Sequence, residues 1–202
     1  MFREQGYLFL LLTRSNLRAR RLLAAAREAL NVEDRAVVAH RYSTETRMRP
    51  YVVGLGEPEF AARDEFGCFS LSWESLGARH AVGIEIDRWM DGGLNVLVHA
   101  HRKALEPARQ RYGARLRVVL APIPNSASNW EELFREWQRQ QKQFPLALSL
   151  DEEPIAGAEN TALLLPEQLE AAREQLIEVV RQQTPPLGSD EPEPAGESHA
   201  IV

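Results

Sequence analysis

The middle of the chain decides the fold, through VGIEIDRWM at positions 82–90 and GLNVLVHAHR at positions 93–102. The first stretch predicts a helix over 84–90, which Gly92 and Gly93 would end. The second predicts a strand over 94–100 whose side chains are apolar on successive positions rather than on alternate ones. A continuously apolar strand is typical of a parallel sheet covered on both faces. The middle of the chain therefore predicts an α/β fold.

The same alternation of strands and helices continues in both directions. Predicted strands cover 6–13, 35–42, 51–56, 66–73, 78–83, 94–100, 116–121 and 161–165. Predicted helices cover 16–30, 57–65, 84–90, 103–112, 129–142 and 166–183. This order predicts one three-layer α/β domain over 1–183, with a parallel sheet and a small inserted β lobe at about 43–83. Proline, glycine, serine and acidic residues dominate 184–202, so we expect a disordered acidic tail there.

Composition limits the classes of function. The 202 residues carry a formal net charge of −5, and four acidic residues with no lysine or arginine lie in 184–202. The predicted domain is therefore close to neutral, whereas a nucleic-acid-binding protein needs a basic face. Cys68 is the only cysteine, which excludes an internal disulfide, and its apolar neighbours predict a buried thiol. No apolar run approaches the ~20 residues of a membrane span. We expect a cytoplasmic protein that binds neither nucleic acid nor membrane.

Four sequence blocks resemble a known family. They are VVAHRY at 37–42, LSW at 71–73, VGIEID at 82–87 and NVLV at 95–98. In order and spacing they are similar to the ribose 1,5-bisphosphate phosphokinases of phosphonate catabolism, which are guanylate-kinase-like enzymes. The resemblance covers about 36–120. It implies the fold of the P-loop nucleoside-monophosphate kinases.

The resemblance also implies a reaction. The family transfers the γ-phosphoryl group of ATP to ribose 1,5-bisphosphate and forms phosphoribosyl pyrophosphate. Such catalysis consists mostly of positioning and charge neutralisation. It needs a glycine-rich loop whose N–H groups surround the phosphates, a lysine on the β/γ oxygens and a hydroxyl on Mg²⁺.

The chain departs from this pattern between the first strand and the first helix. That position reads TRSNLRARR at 13–21, and no glycine occurs from 7 to 53. Side chains with a Cβ resist the positive-φ backbone of a phosphate-binding loop. The family's lysine aligns with Ala19 and its Mg²⁺ hydroxyl with Arg21. Without these groups we expect little ATP-dependent catalysis, since losing one charge-stabilising donor costs roughly 10²–10³ in rate.

Further departures affect the substrate region and the lid. The family's threonine–arginine pair after Tyr42 becomes STETR at 43–47, so that either Glu45 replaces the arginine or Arg47 serves after a register shift. A tyrosine–glycine pair of the family is His80-Ala81 here. The counterpart of the lid contains no glycine, and its basic residues fall on one side of the helix predicted over 129–142. Those residues are Arg135, Arg139 and Lys142.

The resemblance still suggests a remnant substrate pocket. Its candidate residues are Arg41, Ser72, Glu85, Asp87 and His99. Arg41 is the leading candidate for a phosphate contact. His99 and His101 alternate at the carboxyl end of a strand, where ligands bind in open parallel sheets. That pair is compatible with a phosphate or sugar contact, a metal or a structural role, and we expect no metal site.

Three functional hypotheses remain open. The leading one is a degenerate relative of the kinases that binds a sugar phosphate or a protein partner of phosphonate metabolism, with little or no kinase activity and no cofactor. The second is an active kinase that holds ATP and Mg²⁺ by an arginine-rich loop formed by Arg14, Arg18 and Arg20. The third is a non-catalytic interaction protein that uses its acidic tail or the 129–142 helix.

Overall fold

The computed structural model describes residues 5–45, 50–121 and 161–183. A five-stranded parallel sheet forms its centre, in the order β2-β7-β1-β8-β9. These strands are β1 (Leu8–Leu12), β2 (Ala36–Val38), β7 (Asn95–Ala100), β8 (Leu116–Leu120) and β9 (Thr161–Leu164). All five residues of the central strand β1 are buried, as a strand covered on both faces requires.

A second sheet of four strands lies beside the first, in the order β4-β3-β6-β5. Its strands are β3 (Arg41–Ser43), β4 (Val52–Gly54), β5 (Phe69–Ser75) and β6 (Ala78–Gly83). β5 and β6 form the predicted hairpin, and Leu76 and Gly77 at its tip both have positive φ. The sheet corresponds to the inserted lobe, whose domain boundaries stay a prediction.

Five α-helices occur in the described residues. They are α1 (Asn16–Ala29), α2 (Glu57–Glu65), α3 (Glu85–Asp91), α4 (Leu105–Tyr112) and α5 (Leu169–Gln182), and short 3₁₀ turns flank α4 at Arg102–Ala104 and Gly113–Arg115. None of these helices is long and apolar enough to cross a membrane. The predicted helix over 129–142 and the predicted tail over 184–202 lie outside the described residues.

The two faces of the main sheet bury separate apolar clusters. Leu8, Leu10 and Leu12 of β1 pack with α3, α4 and the second sheet. Phe9 and Leu11 point the other way and pack with α1 and α5. The order helix, sheet, helix confirms the predicted three-layer α/β class.

Three sequence predictions are corrected. The strand predicted over 35–42 is two strands in different sheets, because the chain leaves the main sheet after Ala39, whose N–H still bonds to Leu97. The strand predicted from 66 begins at Phe69, because 66–68 complete the end of α2 with backbone bonds to the helix. For the same reason Cys68 is exposed rather than buried.

A buried polar side chain connects segments that are distant in the sequence. The Asn95 side chain accepts from the Tyr7 N–H at 2.9 Å and donates to the Val180 carbonyl at 3.2 Å. Gly6, just before β1, lies so close to the chain that an added Cβ would be 1.9 Å from the Leu94 carbonyl oxygen. The start of β1 therefore requires glycine, since the clashing atom belongs to the backbone.

Candidate functional site

The turn from β1 to α1 caps a helix. The Ser15 side chain accepts a hydrogen bond from the Arg18 N–H at 3.1 Å, and the helix begins at Asn16. Thr13 accepts in turn from the Ser15 N–H at 3.3 Å. No residue from 13 to 21 has a positive φ, and Ala19 is buried in the helix. The turn is short because a serine cap satisfies the first helical N–H groups without a longer loop.

Arg18 serves the packing of α1. Its side chain is 7% exposed, and its Nη1 donates to the Glu167 carbonyl at 2.8 Å, while Nη2 donates to the Pro166 carbonyl. Burial lowers the pKa of this guanidinium. Arg18 thus holds the segment between β9 and α5 against α1. That segment precedes α5, which begins at Leu169 and not at the predicted Pro166.

A narrow cleft opens between α1, the end of β7 and the second sheet. Its polar lining comes from Asn16 and Arg20 of α1, Arg41 of β3 and His99 of β7. Arg14 and Arg20 are both exposed, and of the two only Arg20 lines this cleft. The enclosed volume is about 20 Å³, room for about one water molecule, so a sugar-sized ligand would lie across the mouth.

Arg41 and His99 meet at the floor of the cleft. Arg41 is 8% exposed, and its Nη1 lies 3.5 Å from Nδ1 of His99. Burial, and then the charge of Arg41, lowers the pKa of His99 to about 3. His99 also hydrogen-bonds to the main chain of Thr13 at the end of β1. The cleft therefore presents arginine charge beside an uncharged imidazole at neutral pH.

A second histidine supports the same face of the second sheet. His80 is buried, and its Nδ1 lies 2.9 Å from Oγ of Ser43 across β6 and β3. Its ring packs against Trp73 at 5.7 Å between centroids. Burial, and then Arg41, lowers the pKa of His80. Ser43 also accepts from the Glu45 N–H at 3.0 Å, so this pair fixes the exit of β3.

Glu85, the first residue of α3, lies against another part of the second sheet. Tyr42 donates to its Oε1 at 3.5 Å, and burial followed by the Glu85 charge raises the pKa of Tyr42. The Glu85 carboxylate folds over Gly83, where an added Cβ would lie 1.9 Å from Oε2. Tyr42 follows Arg41 along β3, so the two side chains lie on opposite faces of the strand.

Asp87 and Ser72 are not brought to the cleft. The Asp87 carboxylate accepts from Arg111 at 2.6 Å and from the Tyr112 hydroxyl at 2.7 Å, which joins α3 to α4. Ser72 is exposed on β5 and pairs with Ala81, on the face that carries Tyr42. Of the five predicted pocket residues, the structure therefore brings together only Arg41 and His99.

The histidine pair at the end of β7 does not gather metal ligands. Among the described residues no group of three histidine, cysteine, aspartate or glutamate side chains is arranged to hold a metal ion. His101 instead accepts from the Lys103 N–H at 3.2 Å and caps the 3₁₀ turn before α4. Burial, and then Arg102 and Lys103, lowers its pKa.

Some predicted site residues cannot be placed. Arg47, Arg135, Arg139 and Lys142 lie outside the described residues. Other contributors were missed from the sequence. In the sequence, His80 stands out only as a departure from the family's tyrosine, and Tyr42 only as part of the VVAHRY block. The Thr13 contact is made by the main chain and leaves no signal in the residue pattern.

The chain was compared with known proteins. No protein-family model matches it. It is 32% identical over 137 residues to the ribose 1,5-bisphosphate phosphokinase PhnN of Achromobacter xylosoxidans, covering 63% of this chain and 71% of that protein. It is 40% identical over 108 residues to the protein of the same name from Dickeya zeae, covering 50% of this chain and 54% of that one. A third, from Desulfomicrobium baculatum, is 43% identical over 105 residues, covering 49% of this chain and 54% of the relative.

The match therefore spans about half the length of two of these relatives and over two thirds of the Achromobacter protein. Among solved structures, the guanylate kinase of Anaplasma phagocytophilum superposes with a TM-score of 0.61 over 91% of this chain and 89% of that chain. At 14% identity this likeness shows the fold alone. The sequence match at 32% over most of a relative, on a guanylate-kinase fold, places this chain in the ribose 1,5-bisphosphate phosphokinase family.

Proposed function

We propose that the chain binds a phosphorylated sugar of the ribose 1,5-bisphosphate class at Arg41 and has little or no ATP-dependent kinase activity. The family supplies the class of ligand, since its named members act on ribose 1,5-bisphosphate. The cleft supplies arginine charge for a phosphate, from Arg41 and Arg20. No cofactor is required for binding of this kind.

One observation carries the proposed loss of kinase activity, namely the β1–α1 turn. Ser15 caps the helix at Asn16, and no residue in 13–21 has the positive φ that a nest of phosphate-binding N–H groups requires. Ala19 stands buried where the family pattern expects the lysine. These residues do not fit the phosphates of Mg·ATP.

The arginine-loop hypothesis gains no support from Arg18. Its guanidinium donates to the carbonyls of Pro166 and Glu167 and would have to leave them to reach a nucleotide. Arg14 and Arg20 are exposed, and two surface arginines without a backbone cradle form a weak nucleotide site. An active kinase therefore remains an outcome of the test and not the proposal.

Calorimetry on the full chain tests the proposal. Ribose 1,5-bisphosphate and Mg·ATP are titrated separately and then together, and the mixture is assayed for phosphoribosyl pyrophosphate. We expect saturable binding of the sugar bisphosphate, no heat from Mg·ATP up to millimolar concentration, and no product. A family member with a glycine-rich loop, treated identically, is the positive control.

Each other outcome has a definite meaning. Micromolar ATP binding with product formation would overturn the loss of kinase activity and make Arg14 and Arg20 the next targets. No ligand binding by a protein shown to be folded, together with capture of a defined partner from the phosphonate pathway, would favour the interaction protein. Either result would reject the proposed function.

A further inference from the structure

The hydrogen-bonding roles of Arg41 and His99 follow from their chemistry. A guanidinium carries only N–H donors, so the Nδ1 that faces Arg41 Nη1 at 3.5 Å must be the acceptor. A neutral imidazole has one donor and one acceptor nitrogen. The ring proton of His99 therefore resides on Nε2, and the Arg41 contact itself selects this tautomer.

A second contact fixes the ring in place. His99 hydrogen-bonds to the main chain of Thr13, the residue after β1, and this bond partly opposes the lowering of the pKa of the ring. With Nδ1 directed to Arg41, Nε2–H is the donor to the Thr13 carbonyl. The imidazole thus contacts both the main chain that follows the central strand β1 and the side chain of Arg41 in β3. It connects the main sheet to the second sheet at the floor of the cleft.

We propose that His99 is a positioning residue of the phosphate site, whose neutral imidazole accepts from Arg41 and holds its guanidinium towards the cleft flanked by Arg20. The inference rests on the proposed function, because it names the group that orients the charge on which anion binding depends. His99 acts through Arg41 and need not touch the ligand. Without this acceptor the guanidinium would lose one of the contacts that orient it towards the cleft, and more of its ordering would fall at the moment of binding.

The surrounding charges keep the imidazole neutral. Arg41 of β3, His80 of β6 and His101 after β7 all act against a positive ring, and Arg20 of α1 lines the same cleft. Glu45, after β3, acts on His80 in the opposite sense. Burial has the largest effect and places the pKa of His99 at about 3. A protonated ring would instead direct an N–H at the N–H of Arg41.

Two substitutions at position 99 distinguish the role of the hydrogen-bond acceptor from the role of the side-chain volume. His99→Leu removes the acceptor and keeps an apolar side chain of similar bulk. His99→Asn supplies a side-chain oxygen acceptor that does not titrate. Binding of ribose 1,5-bisphosphate is measured by calorimetry at pH 7. We expect His99→Leu to weaken it about tenfold, as loss of a hydrogen bond to a charged group implies, and His99→Asn to restore it to within about threefold.

A matched histidine control is available two residues away. His101→Asn keeps an acceptor for the Lys103 N–H and should bind within about twofold of the parent. Equal weakening by His99→Leu and His99→Asn would overturn the positioning role and indicate a steric one. Unchanged binding in His99→Leu would overturn it as well.

A measurement on the free protein keeps the inference independent of ligand identity. Nitrogen-15 spectra of the imidazoles distinguish the two tautomers, and Arg41 side-chain signals report how ordered the guanidinium is. We expect the Nε2–H tautomer with no titration near 6.5, and broadened Arg41 signals in His99→Leu but not in His99→Asn. An Nδ1–H tautomer, or a His99 that titrates near 6.5, would overturn the inference even if no sugar phosphate binds. Failure of binding alone would reject only the proposed function.

Discussion

The β1–α1 turn and the Arg41 cleft lie at the same carboxyl edge of the main sheet, yet their polar groups are used in opposite ways. In the turn, Ser15 caps its own helix and Arg18 donates to backbone carbonyls of the chain before α5. In the cleft, Arg41 and Arg20 line a space open to solvent. The polar groups of the turn bond to its own helix and to neighbouring main chain, whereas the two arginines of the cleft line the region where we propose that the ligand binds.

Under the proposed function, the two regions have changed separately. A phosphate loop depends on backbone conformation, so a turn without glycines would lack the cradle. A side-chain site depends on a few charged groups, so it would persist where β3 and β7 keep their positions. Three sets of substitutions and one pH series test whether the two regions differ in this way.

The largest effect is expected from Arg41→Gln, which removes the buried charge and leaves a shorter, polar side chain. We expect affinity for ribose 1,5-bisphosphate to fall about 100-fold, because truncating a buried charge that pairs with a ligand typically costs 2–5 kcal/mol. Calorimetry at fixed ionic strength measures the loss. Arg173→Gln, which removes an arginine that pairs with Glu170 on the same helix, is the matched control and should bind normally. Comparable affinities in both variants would place the phosphate elsewhere.

The second-largest effect is a loss of stability when Arg18, near the β1–α1 turn, is replaced. Arg18→Met should lower the free energy of unfolding by about 2 kcal/mol, since it leaves the carbonyls of Pro166 and Glu167 without their charged donor. Sugar-phosphate affinity should stay within about twofold. Urea unfolding and calorimetry on the same preparation give both values. A variant that keeps its stability but loses ligand binding would assign Arg18 to a binding site and revive the arginine-loop kinase.

The third effect concerns pH. The pKa of His99 falls from an ordinary value near 6.5 to about 3 on folding, so its contribution to stability is complete above 6.5 and is lost progressively as pH falls toward 3. In that window the unfolded state binds the extra proton, and one histidine gives a slope of about 1.4 kcal/mol per pH unit. Urea unfolding between pH 4 and 6.5 should show a shallower slope in His99→Asn. Parallel curves for parent and variant would mean that His99 titrates normally.

The smallest effect is expected from Ser15→Ala, which removes the cap of α1. Loss of a serine cap costs about 1 kcal/mol of stability, and Ser15→Asp should restore most of it because aspartate is an equally good cap. Thermal or urea unfolding measures both. If neither variant changes stability, the turn is not held by this cap, and its contrast with a phosphate-binding loop weakens.

The fold was largely predictable from the sequence because burial on both sides of the main sheet produces strands with continuous apolar runs. Leu8 to Leu12 and the strand that contains His99 show this directly, and α2 lies over 57–65 as predicted. The division of the 35–42 strand was not predictable from its pattern. Arg41 and Ser43 look like a polar end to a strand, and only the pairing of β3 with β4 and β6 shows a new strand.

Site residues could be proposed from the sequence only where the residue itself stands out in the sequence pattern, without knowledge of its tertiary contacts. Arg41, which lies within the VVAHRY block, and His99 both line the cleft, and their role in binding stays a prediction. Asp87 begins a helix, where acidic residues are favoured by the helix dipole, so its partnership with Arg111 and Tyr112 left no separate signal. His80 and the Thr13 carbonyl matter through tertiary contacts, which a single sequence does not encode locally.

The Asn95 side chain has a consequence for how the protein can be handled. Its amide joins positions 7, 95 and 180, which come from the beginning, middle and end of the described chain. A fragment cut before α5 would remove Val180, the acceptor for that buried amide. It would also uncover the apolar residues against which Leu176 and Val180 pack, including Phe9 and Leu11. Shortened versions prepared for crystallisation or labelling should therefore keep residues up to 183, because an earlier stop would yield an aggregation-prone product rather than a smaller domain.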